Sequence, residues 1–78
     1  MRKEFYRPGM RVLARKALSG REKSTGKDAT APEGARGEVL AVHSEGLLEC
    51  EFTWQEKSIL VLADAADVAP QGPLANRP

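Results

Sequence analysis

The clearest alternation of apolar and polar positions lies in the stretch from 47 to 54. Its alternate apolar positions are Leu48, Cys50, Phe52 and Trp54, and glutamates fall between them at 49 and 51. A period of two residues is typical of a strand with one buried face. We therefore predict that the four apolar side chains lie in a core and that the two glutamates face water.

The residues before this stretch predict its hairpin partner. Residues 37–43 are β-branched and apolar, and the three residues 44–46 end in a glycine. A three-residue hairpin loop of this kind needs a positive φ at its last position, which glycine adopts without strain. The two stretches are predicted to form the antiparallel centre of a sheet.

Three further strands are predicted around this hairpin. Pro8 and Gly9 mark a turn before a strand over 10–15, and a polar turn at 55–57 precedes the apolar strand 58–62. Both faces of that strand are apolar, as expected if one meets the core and the other is covered by a loop or another subunit. One helical or 3-10 turn with Asp64 at its N-cap then leads to a short last strand at Val68.

The stretch 16–31 is small, polar and basic, and it shows neither a strand nor a helix period. We therefore predict a long loop. Loops longer than about 12–15 residues in compact domains tend to be functional or disordered. This segment is therefore expected to be either a contact surface or a mobile, solvated loop.

The length of 78 residues allows one small domain with one thin core. We predict a basic lead over 1–8, a barrel over 9–69 and a flexible tail over 70–78. The core candidates are apolar side chains of the predicted strands: Val12, Val39, Val42, Leu48, Cys50, Phe52, Trp54, Ile59, Val61 and Val68.

The order of these elements resembles that of the SH3-like β-barrels. Pro8-Gly9-Met10-Arg11-Val12 resembles their opening strand, and the segment 34–42 resembles the Gly-x-Val core of KOW-type domains. The resemblance implies an all-β fold, a five-stranded SH3-like barrel with a long first loop and one helical turn before the last strand.

The relatives that this resemblance suggests differ in function. KOW and Tudor-like domains bind nucleic acid, ribosome or RNA polymerase, and other small barrels are non-catalytic docking subunits. Plasmid-type dihydrofolate reductases are tetramers of such barrels and resemble one another at a Val-Gln-Ile-Tyr segment. The comparable strand 58–62 has neither the Gln nor the Tyr.

Charge is distributed unevenly along the chain. Residues 1–27 contain nine Lys or Arg against two acidic residues, whereas residues 28–78 contain three against nine. This asymmetry indicates either an anionic partner for the basic part or two halves that complement each other across the folded surface. The candidate partner-binding residues are six cations and two aromatic residues of the lead: Arg11, Arg15, Lys16, Arg21, Lys23, Lys27, Phe5 and Tyr6.

Patterns that indicate catalysis or metal binding are weak. One His and one Cys cannot provide the four ligands of a structural zinc site, so we expect no metal and no cofactor. The segment 20–27 has five residues between its glycines where a phosphate-binding loop has four, and Asp28 stands where a Ser or Thr would hold magnesium. We expect His43 to be a hydrogen-bonded surface side chain rather than a catalytic base.

Two observations concern the cellular compartment. The single Cys50 cannot form an internal disulfide, which fits a reducing cytoplasm. No apolar run has the length of a signal-peptide core or a membrane span. We therefore expect a cytoplasmic location and no contact with a membrane.

The sequence favours a non-catalytic interaction module. We expect it to dock through its basic first strand and loop on an anionic protein, as an accessory subunit, regulator or inhibitor in a nucleic-acid machine. Direct binding of RNA or DNA is the alternative, because the same cations could neutralise backbone phosphates. An oligomeric small-barrel enzyme such as a plasmid-type reductase is a distant alternative. The sequence leaves the oligomeric state open.

Overall fold

The computed structural model describes residues 6–43 and 46–71. This part of the chain is all-β, and its strands form a curled antiparallel half-barrel in the order β3-β2-β6-β5-β4-β1-β7. The strands are β1 (Arg11–Ala14), β2 (Leu18–Glu22), β3 (Asp28–Ala31), β4 (Arg36–Val42), β5 (Leu47–Trp54), β6 (Lys57–Asp64) and β7 (Val68–Pro70). A 3-10 turn covers Ala65–Asp67.

All five strands that the sequence predicts are present, as β1, β4, β5, β6 and β7. Gly46 has a φ of 76°, as the hairpin loop requires. Asp64 occupies the N-cap position of the 3-10 turn, but its side chain makes no capping hydrogen bond. Strand β7 extends through Pro70, where the tail was expected to begin, and residues 72–78 of that tail lie outside the described residues.

The predicted long loop over 16–31 is wrong, because it contains the hairpin of β2 and β3. The described residues therefore form seven strands instead of the five that the sequence predicts. The inward positions of this hairpin include Gly20, Ala29 and Ala31, whose small side chains hide the alternation. Gly20 comes so close to β6 that a side chain there would overlap the carbonyl oxygen of Leu60.

The core lies on the inner face of the curled sheet. Its buried members are Tyr6, Val12, Ala14, Leu18, Ala31, Ala35, Val39, Leu48, Cys50, Phe52, Ile59, Val61, Ala63 and Val68. Eight of the ten core candidates are thus confirmed. Val42 and Trp54 are corrections, because they are 45% and 41% exposed. Each is the last residue of its strand, where the opposite wall of the half-barrel no longer covers the inner face.

Strand β4, near the centre of the sheet, contains a glycine in close contact with β5 and a β-bulge. Gly37 pairs with Phe52 on β5 and with Val12 on β1. A Cβ atom at Gly37 would lie 2.6 Å from the Phe52 ring and 2.8 Å from the Glu51 carbonyl oxygen, so the ring fills that space. The register then shifts between Val39 and Ala41, which inserts one residue into β4.

We expect Glu56→Gly to stabilise the domain. Gln55 and Glu56 link β5 to β6 with φ values of 52° and 67°, the left-handed backbone of a two-residue turn. Non-glycine residues are strained there, so glycine should raise the free energy of unfolding by about 0.5–1 kcal/mol, measured by urea denaturation. The same change at the neighbouring strand position, Lys57→Gly, should lower it. A loss of stability in Glu56→Gly would contradict the turn geometry.

Candidate binding surface

The three basic candidates at β1 lie close to acidic groups. Arg11 faces outward opposite Glu38 of β4 and lines a shallow depression of about 280 Å³. Lys16 places its Nζ 3.6 Å from Oδ1 of Asp67. Arg15 is exposed, and its backbone N–H donates to the Asp67 carbonyl oxygen at 2.9 Å.

The turn between β2 and β3 carries Lys23 and Lys27 and is ordered by side-chain hydrogen bonds. The Thr25 hydroxyl donates to Oε1 of Glu22 at 3.1 Å and accepts from the Lys27 backbone N–H at 3.2 Å. Gly26 has a φ of 76° and donates its N–H to the Glu22 carbonyl oxygen. This hydroxyl contact fixes the Glu22 carboxylate within the turn, while both lysine side chains remain exposed.

Arg21 belongs to the outer face of the sheet rather than to the turn. It pairs with Asp28 on β3 and with Leu60 on β6. Following the register from β2 to β1, the outward residues in one row are Arg21, Leu60, Glu51, Glu38 and Arg11. Two glutamates and a leucine therefore separate Arg21 from Arg11, so the six basic candidates do not form one continuous stripe.

Two of the basic candidates form ion pairs with the acidic part of the chain. Besides Lys16 with Asp67, Lys23 places its Nζ 3.6 Å from Oε2 of Glu51. Partly exposed pairs of this kind contribute about 0–1 kcal/mol to stability. At these two places the basic and acidic halves complement each other across the folded surface, which is one of the two interpretations that the charge asymmetry allows.

Of the two aromatic candidates in the N-terminal lead, the structure describes only Tyr6. Tyr6 is buried in the core, and its hydroxyl donates to the Val68 carbonyl oxygen at 3.4 Å. A buried ring cannot offer a stacking face to a partner, so the structure gives Tyr6 a role in packing. Phe5 lies outside the described residues.

Trp54, which was predicted to be buried, and Lys57, which was predicted to lie in a polar turn, are surface residues that were not among the candidate binding residues. They face each other in register across the β5–β6 turn. The backbone N–H of Lys23 donates to the Ser58 carbonyl oxygen at 2.7 Å, which brings the β2–β3 turn beside the β5–β6 turn. The two turns enclose a depression of about 430 Å³, which is lined by Glu22, Lys23, Ser24, Glu56, Lys57 and Ser58. We define the turn-end surface by Lys23 and Lys57, which line this depression, and by Lys27 and Trp54, which lie at the other ends of the same two turns.

The position of Trp54 in the chain offered a signal for its exposure. It directly precedes the polar turn residues Gln55, Glu56 and Lys57. The last inward-facing side chain of a hairpin strand often lies outside the core. Its burial then depends on whether another strand of the barrel packs over it, which the alternation of apolar and polar residues does not reveal. The closeness of Lys57 to Lys23 had no local signal, because it arises from the pairing of β2 with β6.

The single histidine forms a hydrogen bond, and the single cysteine is buried. His43 is exposed and places Nε2 3.2 Å from Oε1 of Glu49, which confirms a hydrogen-bonded surface imidazole. Cys50 is fully buried. Burial, and to a lesser extent the negative charge of Glu49, raises the pKa of Cys50 to about 11. Its thiol is therefore protonated at neutral pH, and the thiolate is the nucleophilic form.

The described residues contain neither a cluster of metal-ligating side chains nor a membrane-spanning helix. Within 6–43 and 46–71, no group of three or more His, Cys, Asp or Glu side chains is arranged to hold a metal ion. The same part of the chain contains no helix long and apolar enough to cross a membrane.

Comparisons with known proteins gave no match to this chain among protein-family models, curated proteins or solved structures. The interpretation of the surface therefore depends on its geometry and charge.

We expect Cys50 to resist thiol reagents in the folded protein. Because the side chain is buried and protonated, labelling at pH 8 should be limited by opening of the fold and should become rapid in urea. The matched control is Cys50→Ala combined with Thr53→Cys, which places a thiol on an exposed position of the same strand. That control should label rapidly with and without urea. Rapid labelling of the folded wild-type chain would contradict the burial of Cys50.

Proposed function

We propose that this chain is a cytoplasmic, non-catalytic interaction module. It docks on an acidic protein surface and acts as an accessory subunit, regulator or inhibitor within a nucleic-acid machine. Its contact region is the turn-end surface, with the exposed cations near β1 at its periphery. The observation that carries this proposal is the ordered β2–β3 turn, which holds Lys23 and Lys27 exposed and brings Lys23 to the same depression as Lys57.

The electrostatics of the turn support docking on an acidic partner. The Glu22 carboxylate accepts hydrogen bonds from the hydroxyls of Ser24 and Thr25. These contacts hold that negative charge within the turn instead of against a lysine. Lys27 forms no ion pair within the described residues. Fixed cations on an ordered turn can complement acidic groups without a large loss of side-chain and loop entropy on binding.

The states of the two most reactive side chains support a non-catalytic role. Cys50 is buried and protonated, and His43 is held by Glu49 at the outer end of β4. Neither lies at the turn-end surface. The resemblance of the sequence to SH3-like barrels supports the same role, because several barrels with that outline act as docking elements.

We expect Lys23→Glu combined with Lys27→Glu to abolish docking. Reversal sets like charges against an acidic partner, while exposed charges contribute little to folding, so the midpoint of urea denaturation should change little. Binding is measured by retention of host proteins on the tagged domain after nuclease treatment, at low and moderate salt. Retention should fall at least tenfold relative to wild type.

A matched control separates the position of the charges from their number. Two single variants make the comparison: Lys27→Glu reverses one charge on the turn-end surface, and Arg7→Glu makes the same change in net charge at an exposed site before β1. We expect Arg7→Glu to retain the wild-type partners and Lys27→Glu to lose part of them. Equal losses in the two single variants would show that net charge alone governs retention and would reject the turn-end surface as the docking site.

Direct binding of single-stranded nucleic acid is a second candidate, and the exposure of Trp54 favours it. Trp54 lies opposite Lys57 in register, so a base could stack on the ring while Lys57 contacts a phosphate. Stacking on an aromatic side chain contributes about 1–3 kcal/mol per base. Two of the other aromatic side chains, Tyr6 and Phe52, are buried.

Trp54 is the only tryptophan of the chain, so its fluorescence reports on this second candidate directly. If nucleic acid binds here, oligo(dT) or oligo(U) should quench the emission in a saturable manner that weakens steeply with salt. Trp54→Ala should then reduce affinity by about one or two orders of magnitude, measured by anisotropy of a labelled oligonucleotide. Trp54→Phe is the control that keeps a stacking face. Unchanged emission would exclude stacking and leave the protein partner as the ligand.

A further inference from the structure

Strand β6 carries apolar side chains on both faces. Ile59, Val61 and Ala63 point into the core, whereas Leu60 and Leu62 lie on the outer face. Leu62 is 62% exposed, the highest value among the exposed large hydrophobic side chains of the described residues. We call Leu60 and Leu62 the β6 ridge. Leu60 is half-buried, and no further strand of the described residues packs on this face of the sheet.

The two sides of the ridge carry opposite charges. On the β2 side, Arg21 pairs in register with Leu60. On the β5 side, Glu51 pairs with Leu60 and Glu49 pairs with Leu62. An apolar line is therefore flanked by a cation along one edge and by two carboxylates along the other.

This arrangement is complementary to itself. Consider two copies packed outer face to outer face around a twofold axis parallel to β6. The axis places the two ridges in contact and brings β2 of each copy opposite β5 of the other. Arg21 of one copy then lies opposite Glu51 of the second, and the same contact recurs across the axis, as in an isologous interface.

A twofold axis perpendicular to the strands does not bring opposite charges together. An axis perpendicular to the strands sets β2 against β2 and β5 against β5, so that Arg21 has no opposing carboxylate and the glutamates of both copies meet. We therefore propose that the β6 ridge binds a second copy of this chain, with the twofold axis parallel to β6.

The neighbouring charges are compatible with this contact. Glu51 already has Lys23 of its own chain at 3.6 Å, and Glu49 has His43 at 3.2 Å. Lys23 reaches Glu51 from the turn after β2, and His43 reaches Glu49 from the end of β4. Neither contact involves Arg21, whose register partner on β3 is Asp28. Because a carboxylate has two acceptor oxygens, Glu51 can accept both from Lys23 of its own chain and from Arg21 of the second copy.

The ridge residues Leu60 and Leu62 do not belong to the turn-end surface, and the proposed occupant is a second copy of the chain, so this inference goes beyond the proposed function. The two surfaces meet at Glu51, which Lys23 contacts.

The shape of the sheet sets the strength of the association. The outer face of a curled half-barrel is convex, so two such faces meet along β6 rather than over the whole sheet. Interfaces that bury less than about 1,200 Å² in total are typical of weak, transient complexes. We expect a dimer that forms at high micromolar to millimolar concentration.

Sedimentation equilibrium over a concentration series tests the ridge. The wild-type mass should rise with concentration from the 8.5 kDa of the monomer toward twice that value. Leu62→Ser should weaken association at least tenfold. Val42→Ser removes a comparably exposed apolar side chain at the end of β4 and should leave association unchanged. A wild-type chain that stays monomeric at millimolar concentration, or equal effects of the two variants, would overturn the proposal.

A charge exchange tests the orientation of the two copies. Arg21→Glu and Glu51→Arg, each studied alone, set like charges against each other at both contacts and should abolish association. An equal mixture of the two variants restores opposite charges at both contacts, so a heterodimer should form in sedimentation velocity. A mixture that remains monomeric while wild type dimerises would reject the parallel axis. Circular dichroism of each variant verifies that the sheet is intact.

Discussion

The packing of Phe52 against the backbone of Gly37 is the constraint on which the sheet depends. Gly37 stands where β5, β4 and β1 meet, and a Cβ atom there would lie 2.6 Å from the Phe52 ring. Phe52 and Val12, its two partners in register, have no exposed surface. Because protein cores are close-packed, neither the ring nor the strands can move away without opening a void. The other buried side chains of this small domain surround that contact.

The sequence predicted the elements whose inward residues are large. Alternation of Leu48, Cys50 and Phe52 identified β5, and Gly46 identified its hairpin with β4, because those signals are local. The β2–β3 hairpin was missed, since Gly20 and small alanines occupy its inward positions. The close approach of β6 requires a glycine at position 20, and this tertiary contact is one that no local pattern reveals.

The candidate surface was predictable only in part, for a similar reason. The basic character of residues 1–27 is evident in the sequence, but the position of each cation depends on how distant strands pair. The register places Glu38 and Glu51 between Arg11 and Arg21, and packing turns Tyr6 inward. Trp54 lies on the face that the alternation predicts. The ring is nevertheless exposed, because β5 ends at this residue and the core does not extend that far.

The two proposed surfaces are geometrically linked. A twofold axis parallel to β6 exchanges the sides of the sheet but leaves the two ends of the strand in place. The turn-end surface lies at the Lys57 end of β6, so both copies of a dimer would present it at the same end of the assembly. Two linked binding surfaces bind a repeated or extended ligand with higher avidity than either alone, provided that the ligand reaches both. A weak dimer would therefore suit an extended acidic protein surface better than a small isolated patch.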